Sequence, residues 1–332
     1  MGKLPLTFAC GLTDRMVPLY SGDVQPEGID LNFLPINHPR DVFDRMVGNL
    51  EFDASELSSS EYITRYVAGD RKFVAIPVFP SRSFRHSFIV VNTNKVKSPK
   101  DLEGAKIGVQ LYTMTAAVWI RGLLEHMGVD LSNVQWIQGA MEDSAAGKPH
   151  GKPSALPTLK PINITANTTS KSLGQLLEAG EIAATIGADL PDCLGKAPHV
   201  QRLFPDFKER EKQYYRDTGI FPIMHLVVLR RDFYEQNHWA ATTLFNALND
   251  SKEIMRKRIR LLTALQFMLP WMGSELDEIE QVFGDDPWPY GVEANRKTLE
   301  ALVRHLHEQG MIERTVTVDE LFLPVKERFM RV

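Results

Sequence analysis

The sequence predicts an α/β protein of two lobes with a ligand cleft between them. Three observations carry that prediction. Short apolar runs alternate with helical segments from Leu4 to Asp189, the pattern of helix-covered sheets. A late apolar run, Phe221–Leu229, reads as a strand returning to the first region, and the chain beyond it is almost wholly helical. At 332 residues the chain can bury more than one core.

Leu4–Ala9 is a first strand, with Gly11–Arg15 as the loop at its end. Gly28–Leu34 alternates apolar and polar residues as a strand does. Pro39–Leu50 has helical spacing and puts Val42, Phe43, Met46 and Val47 on one face. Phe52–Leu57 reads as a short strand, and Ser58–Glu61 as the cap of a helix beginning near Tyr62. Phe73–Val78 is a further strand, followed by Pro80 and the polar turn Ser81–Ser87.

After Val91, Ser98–Leu102 signals a helix start, Lys106–Val109 a strand, and Tyr112–Thr115 the opening of a helix reaching Met127. Val134–Ile137 is another strand. The Gly-, Pro-, Lys-, Ser- and Thr-rich region Ala145–Thr169 reads as a surface excursion. Helix Lys171–Ala179 leads to the small-residue strand Ile182–Gly187, which ends at Asp189. Long helices are expected at Trp239–Asn249, Ser251–Leu269 and Ala294–Gln309. The simplest division makes residues 1–91 and 225–332 one lobe and 92–224 the other, with crossings near 86–92 and 221–228.

Composition is ordinary for a globular protein, at 43% hydrophobic and 24% charged residues. A net charge of −4 argues against general nucleic-acid binding, which needs a basic surface. Cys10 and Cys193 are too few to form a disulfide scaffold and have no metal-type spacing, so buried thiols are expected. The N-terminal residues lack an apolar leader core, and no apolar run is long enough for a bilayer. The expectation is a cytoplasmic protein with no membrane partner.

The chemistry-bearing residues concentrate at the expected loops. Arg82 and Arg85 lead as carboxylate clamps, with Arg15 a third, because a planar guanidinium pairs two N–H donors with a carboxylate. Each also suits a salt bridge. His86 is the leading general acid, since imidazole titrates near neutrality, although a hinge histidine satisfying the backbone is almost as good a reading. His225, on the return strand, is a secondary acid/base candidate. Glu56 follows a strand and could orient a histidine or accept a phenolic proton.

Ser58, Ser59, Thr113 and Thr115 could bind ligand oxygens, with helix capping as their ordinary use. Tyr112 could wall the site, and Asp189 could line it from the second lobe. Asp14 is adequately explained by Arg15. Trp119 belongs in the core, and Arg121 is expected to face solvent or another subunit. The remaining histidines, His38, His126, His150, His199, His238, His305 and His307, are scattered and form no metal motif. Neither a dinucleotide-binding glycine loop nor a nucleophile elbow is present.

In order and content, the loop Gly11–Arg15, the run Ser81–Ser87, the run Tyr112–Gly122 and the strand around His225 resemble the 4,5-dihydroxyphthalate decarboxylases. That resemblance spans most of the chain. It implies a fold similar to type II periplasmic solute-binding proteins, including the group related to thiamine-pyrimidine synthesis. It also implies non-oxidative loss of carbon dioxide from a small aromatic dicarboxylate, giving protocatechuate. The ring itself can store the charge, so no metal or organic cofactor is chemically required. A solute-binding protein for an aromatic or other small carboxylate is the rival, because the same fold serves proteins that only bind. A related decarboxylase with another substrate is the nearer alternative. The extensive C-terminal helices are compatible with a homo-oligomer.

Overall fold

In the computed structural model, residues 2–145, 158–263, 265 and 267–326 are described. Residues 146–157 of the expected excursion, His150 among them, lie outside the described residues. Eleven strands run through these residues: β1 Leu4–Cys10, β2 Ile29–Pro35, β3 Ala54–Ser58, β4 Phe73–Arg82 and β5 Val90–Asn92 come first. They are followed by β6 Lys106–Val109, β7 Gln135–Gln138, β8 Ile164–Ala166, β9 Ala184–Ile186, β10 Val200–Arg202 and β11 Ile223–Arg230.

Two mixed sheets result, ordered β2-β1-β3-β11-β4 and β10-β5-β9-β6-β7-β8. The chain passes from the first to the second between β4 and β5, and returns between β10 and β11. In the first sheet β1 is parallel to β2 and β3, while β11 is antiparallel to both β3 and β4. In the second, β6 is parallel to β7 and β9.

Strand β11 is apolar on both faces because both are covered. Leu226, Val227, Val228 and Leu229 are all fully buried, as expected of a central strand between helical layers. The helices His238–Ile259 and Arg296–Glu308 contribute Leu244, Leu248, Leu299 and Leu302 to the same core. A separate cluster around Ile107, Val109, Ile120, Leu124 and Trp136 holds the second sheet. Cys10 and Cys193 are buried free thiols.

The parallel strands decide where a ligand can sit. β1, β2 and β3 end at one edge of their sheet, and β6 and β9 end at one edge of theirs. Open α/β sheets bind ligands beyond such carboxyl ends. Ser58 ends β3, and the loops beyond the other strands carry Gly11, His38, Thr113 and Asp189.

Two helix expectations are corrected. Residues 239–259 form one helix, His238–Ile259, rather than two. Ser251, read as a helix start, continues it, and its hydroxyl donates to Arg15 O at 2.7 Å. The helix ends at Ile259 rather than Leu269, and a separate helix spans Met272–Phe283. Helix Phe207–Thr218 was invisible to periodicity because none of its residues is buried.

Candidate functional site

A cavity of about 210 Å³ lies where loops from the two sheets meet. His225 lines it from β11, and Glu56 lies behind it on the adjacent strand β3. In the β3–β11 register His225 lies opposite Ser58 and Val227 opposite Glu56. His225 and Glu56 are therefore diagonal neighbours on one face, within side-chain reach. Nδ1 of His225 is 3.2 Å from Glu56 Oε2. A carboxylate only accepts, so this nitrogen carries the proton and donates it. Glu56 Oε1 accepts a second bond, at 3.0 Å, from the N–H of Gly11. The ring of Phe43 packs edge-on against the imidazole at 4.9 Å. Thus Glu56, buried beneath the site, holds the histidine from behind, and His225 lines the cavity with Nε2 left for a ligand.

Arg85 lines the same cavity although it is 8% exposed. Its Nε contacts the sulfur of Met224 at 3.3 Å, and its guanidinium lies 4.5 Å from the centre of the Phe88 ring. Burial pulls its pKa down to about 10, with Asp189 and Glu211 opposing, so it remains a cation at neutral pH. Among the described residues it makes no ion pair. Such a buried charge is costly unless a ligand completes its pairing.

Hydroxyls bridge the sheets beside it. Ser58 Oγ is 2.8 Å from Thr115 Oγ1 and 3.2 Å from Ser60 Oγ, and Ser60 Oγ donates to Thr113 O at 2.8 Å. Ser58, Thr113 and Thr115 all line the cavity. Asp189 does so from the loop after β9. Gln110 Nε2 donates to Asp189 Oδ2 at 2.6 Å, and Gln110 Oε1 accepts from the N–H groups of Ala188 and Asp189. Gly187 permits this bracket, since a Cβ there would lie 2.6 Å from Gln110 Oε1.

Five expected site residues face elsewhere. Ser81 pairs with His225 and lines the cavity, so Arg82, next along the strand, turns the other way. Arg82 donates to Pro289 O at 2.8 Å and to Asn295 Oδ1, anchoring the C-terminal region. Arg15 is consumed by Pro80 O and Asp14, and stacks over Trp288 at 4.5 Å. Ser59 is fully buried, and its hydroxyl finds no hydrogen-bond partner among the described residues. Tyr112 packs on Trp136 and under the guanidinium of Arg121, away from the cleft.

His86 is the fifth. It is 2% exposed, edge-on to Phe204 and Tyr214, and absent from the cavity wall. Its Nδ1 lies 3.7 Å from Glu211 Oε1. Burial, aided by Arg210, pulls its pKa from 6.5 down to about 4, so near neutrality it has no proton to give from Nδ1H⁺. Burial likewise lifts Glu211 to about 7. Above about pH 6.5 the histidine is neutral folded or unfolded. As pH falls toward 4 the unfolded chain binds the proton first, so stability drains away. His86→Phe is expected to retain turnover and to lose less thermal stability between pH 6.5 and 4 than the wild type. Melting curves across that window, with kcat at neutral pH, check both halves.

Arg121 corrects a further expectation: it is 1% exposed, with Nε donating to Gln309 Oε1 at 2.9 Å. Sequence reasoning passed over His38 and Arg40, which both line the cavity at the start of helix Pro39–Asn49. Arg40 pairs with Asp44. The available signal was their place after a parallel strand, on either side of the proline that opens the helix. No three His, Cys, Asp or Glu side chains among the described residues converge on a common point suited to a metal. No helix among them is long and apolar enough to cross a membrane.

Comparison with known proteins agrees with this architecture. Residues 25–148 match the family model described as NMT1/THI5 like. A 4,5-dihydroxyphthalate decarboxylase from Comamonas testosteroni is 34% identical over 327 residues, covering 98% of each chain. Among solved structures, the periplasmic aliphatic sulphonate binding protein SsuA from Escherichia coli superposes with a TM-score of 0.54 at 13% identity, covering 97% of this chain and 98% of its own. The desulfurization enzyme DSZB gives 0.51 at 15% identity, covering 97% of each. At those identities the solved structures establish the fold, a two-lobed periplasmic-binding-protein-like α/β architecture, which one of them uses to bind and another to catalyse. The near-full-length relative settles the rest: the chain belongs to the 4,5-dihydroxyphthalate decarboxylase family and is a carboxy-lyase.

Proposed function

We propose that this enzyme converts 4,5-dihydroxyphthalate to protocatechuate and carbon dioxide in the cleft that holds His225 and Arg85. The observation that carries the reading is the pairing of two features in one cavity: a buried arginine without an ion-pair partner among the described residues, and a histidine held by a buried glutamate. The likeness to the Comamonas enzyme supports the choice of substrate.

On this reading Arg85 holds the carboxylate that stays. The phenolic oxygen para to the departing carboxylate shares its proton with the Ser58–Thr115 hydroxyls and pushes electron density onto the carbon bearing that group. His225, as imidazolium, delivers the Nε2 proton to that carbon. The bond to the carboxylate then breaks, its electron pair restores the aromatic ring, and carbon dioxide leaves. The neutral histidine is reprotonated from solvent, and Glu56 fixes its orientation throughout. Asp189 contributes from the opposite sheet. We place the activity in the cytoplasm, with residues 1–91 and 225–332 closing as one lobe on 92–224.

The test is incubation of chelator-treated protein with 4,5-dihydroxyphthalate, following carbon dioxide and protocatechuate. Stoichiometric release of both is expected. Saturable binding without turnover between pH 5 and 9 would instead make the protein a receptor for aromatic carboxylates.

A further inference from the structure

Most of the ionisable side chains that line the cleft are already paired within the chain. Glu61 is held by Arg65 at 2.6 Å, Arg40 by Asp44 and His225 by Glu56, and His38 lies 3.8 Å from Asp41. Arg85 and Asp189 are the exceptions. Among the described residues neither makes an ion pair, with the other or with a third group. Arg85 comes from the turn after β4, in the first sheet, and Asp189 from the loop after β9, in the second. The cavity therefore presents one unmatched charge of each sign.

Asp189 is held in a fixed orientation. Gln110, itself only 2% exposed, donates from Nε2 to Asp189 Oδ2 at 2.6 Å. Its Oε1 accepts from the N–H groups of Ala188 at 3.0 Å and Asp189 at 3.2 Å. These three bonds tie the carboxylate to its own backbone and leave Oδ1, which accepts no hydrogen bond among the described residues. A carboxylate oxygen only accepts. An occupant that satisfies both unmatched groups must bring an anion for Arg85 and an O–H or N–H donor for Asp189.

We infer that Asp189 is the specificity-determining residue for the hydroxyl pattern of the ring, and Gln110 its positioning residue. This rests on the reading above, in which Arg85 holds the carboxylate that stays and the Ser58–Thr115 hydroxyls take the phenol para to the departing one. The second hydroxyl is para to the carboxylate that stays, at the far end of the ring from Arg85, and it donates to Asp189 Oδ1. An aromatic acid with hydrogen or a methoxy group at that position brings no donor and leaves the carboxylate unpaired against the ring. Sites built to bond a hydroxyl reject analogues lacking it strongly, because the buried polar group is stranded. Asp189 thus admits aromatic acids already hydroxylated para to the retained carboxylate.

Two ligands isolate the contact. Protocatechuate keeps the retained carboxylate and both hydroxyls, whereas 3-hydroxybenzoate lacks only the hydroxyl assigned to Asp189. By calorimetry the wild type is expected to prefer protocatechuate by roughly 10- to 100-fold, the worth of a hydrogen bond to a charged group. Asp189→Ala should abolish that preference by weakening protocatechuate while 3-hydroxybenzoate binds no more weakly than to the wild type, a result that misfolding cannot produce. Gln110→Met, of similar size but without the three bonds, should lower the preference part of the way and spare 3-hydroxybenzoate. Equal weakening of both ligands in Gln110→Met would remove its positioning role. Wild-type turnover of 4,5-dihydroxyphthalate is measured alongside. If turnover is present and Asp189→Ala keeps the preference, this inference alone is overturned. A wild type that neither turns over 4,5-dihydroxyphthalate nor binds protocatechuate would remove the proposed function, and this inference with it.

Discussion

His225→Gln is expected to lower kcat for 4,5-dihydroxyphthalate by about two to four orders of magnitude while KM moves little, the size of effect that general acid–base catalysis supplies. The argument is geometric. Glu56 Oε2 occupies Nδ1 at 3.2 Å, so the imidazole can present only Nε2 to the cavity. Glutamine fills much of the same space but has no proton to transfer at neutral pH. In the proposed mechanism Glu56 positions His225 and does not touch the substrate, because its carboxylate bonds Nδ1 of that histidine from behind. Glu56→Gln should therefore reduce kcat less than His225→Gln does and spare KM, and Glu56→Asp should recover part of the loss. Steady-state kinetics on the three folded variants separate these roles. Unchanged kcat in His225→Gln would remove the proposed proton donor.

Arg85→Ala is expected to act on the other parameter, raising KM by at least about 30-fold, in line with the loss of a buried charged partner. Arg85 lies among Met224, Phe88 and the edge of the cavity, where little water screens it. A carboxylate placed there is worth more than one at the surface. Arg85→Lys should recover only part of the affinity, since an ammonium lacks the planar fork that grips both carboxylate oxygens. Titration of product binding by calorimetry gives the same comparison without turnover. Equal affinities in all three proteins would assign the carboxylate to another cation, with Arg40 the first to examine.

The polar turn Ser81–Ser87 stood out in the sequence as a place for anions, and one of its three leading side chains, Arg85, lines the cleft. Arg82, Arg85 and His86 are close neighbours of similar chemical appeal. Strand alternation separates Ser81 from Arg82, and the tight turn after β4 separates Arg85 from His86. Neither rule says which side is the cleft until β4 has a partner. That partner is β11, and its pairing sets Ser81 beside His225.

The hydrogen-bonded pair Glu56–His225 shows the same limit more sharply. Glu56 and His225 are each unremarkable in sequence, one a loop-edge acid and the other a strand histidine. They are 169 positions apart and become neighbours through a single antiparallel register. His38 and Arg40 were overlooked because nothing local distinguishes them; their value comes from following a parallel strand whose end opens on the cleft.

The sequence by itself determined the α/β class, the order of its main strands, the helical C-terminal region and the family, because periodicity, turn residues and shared motifs are written locally along the chain. Only the tertiary structure decided which of the candidate side chains share one cavity. Strand pairing over long separations, and burial on one face or the other, are set by the packing of the whole chain, so Arg82, His86 and Tyr112 went into the interior while Arg85 and His225 came to line one cavity, with Glu56 behind His225.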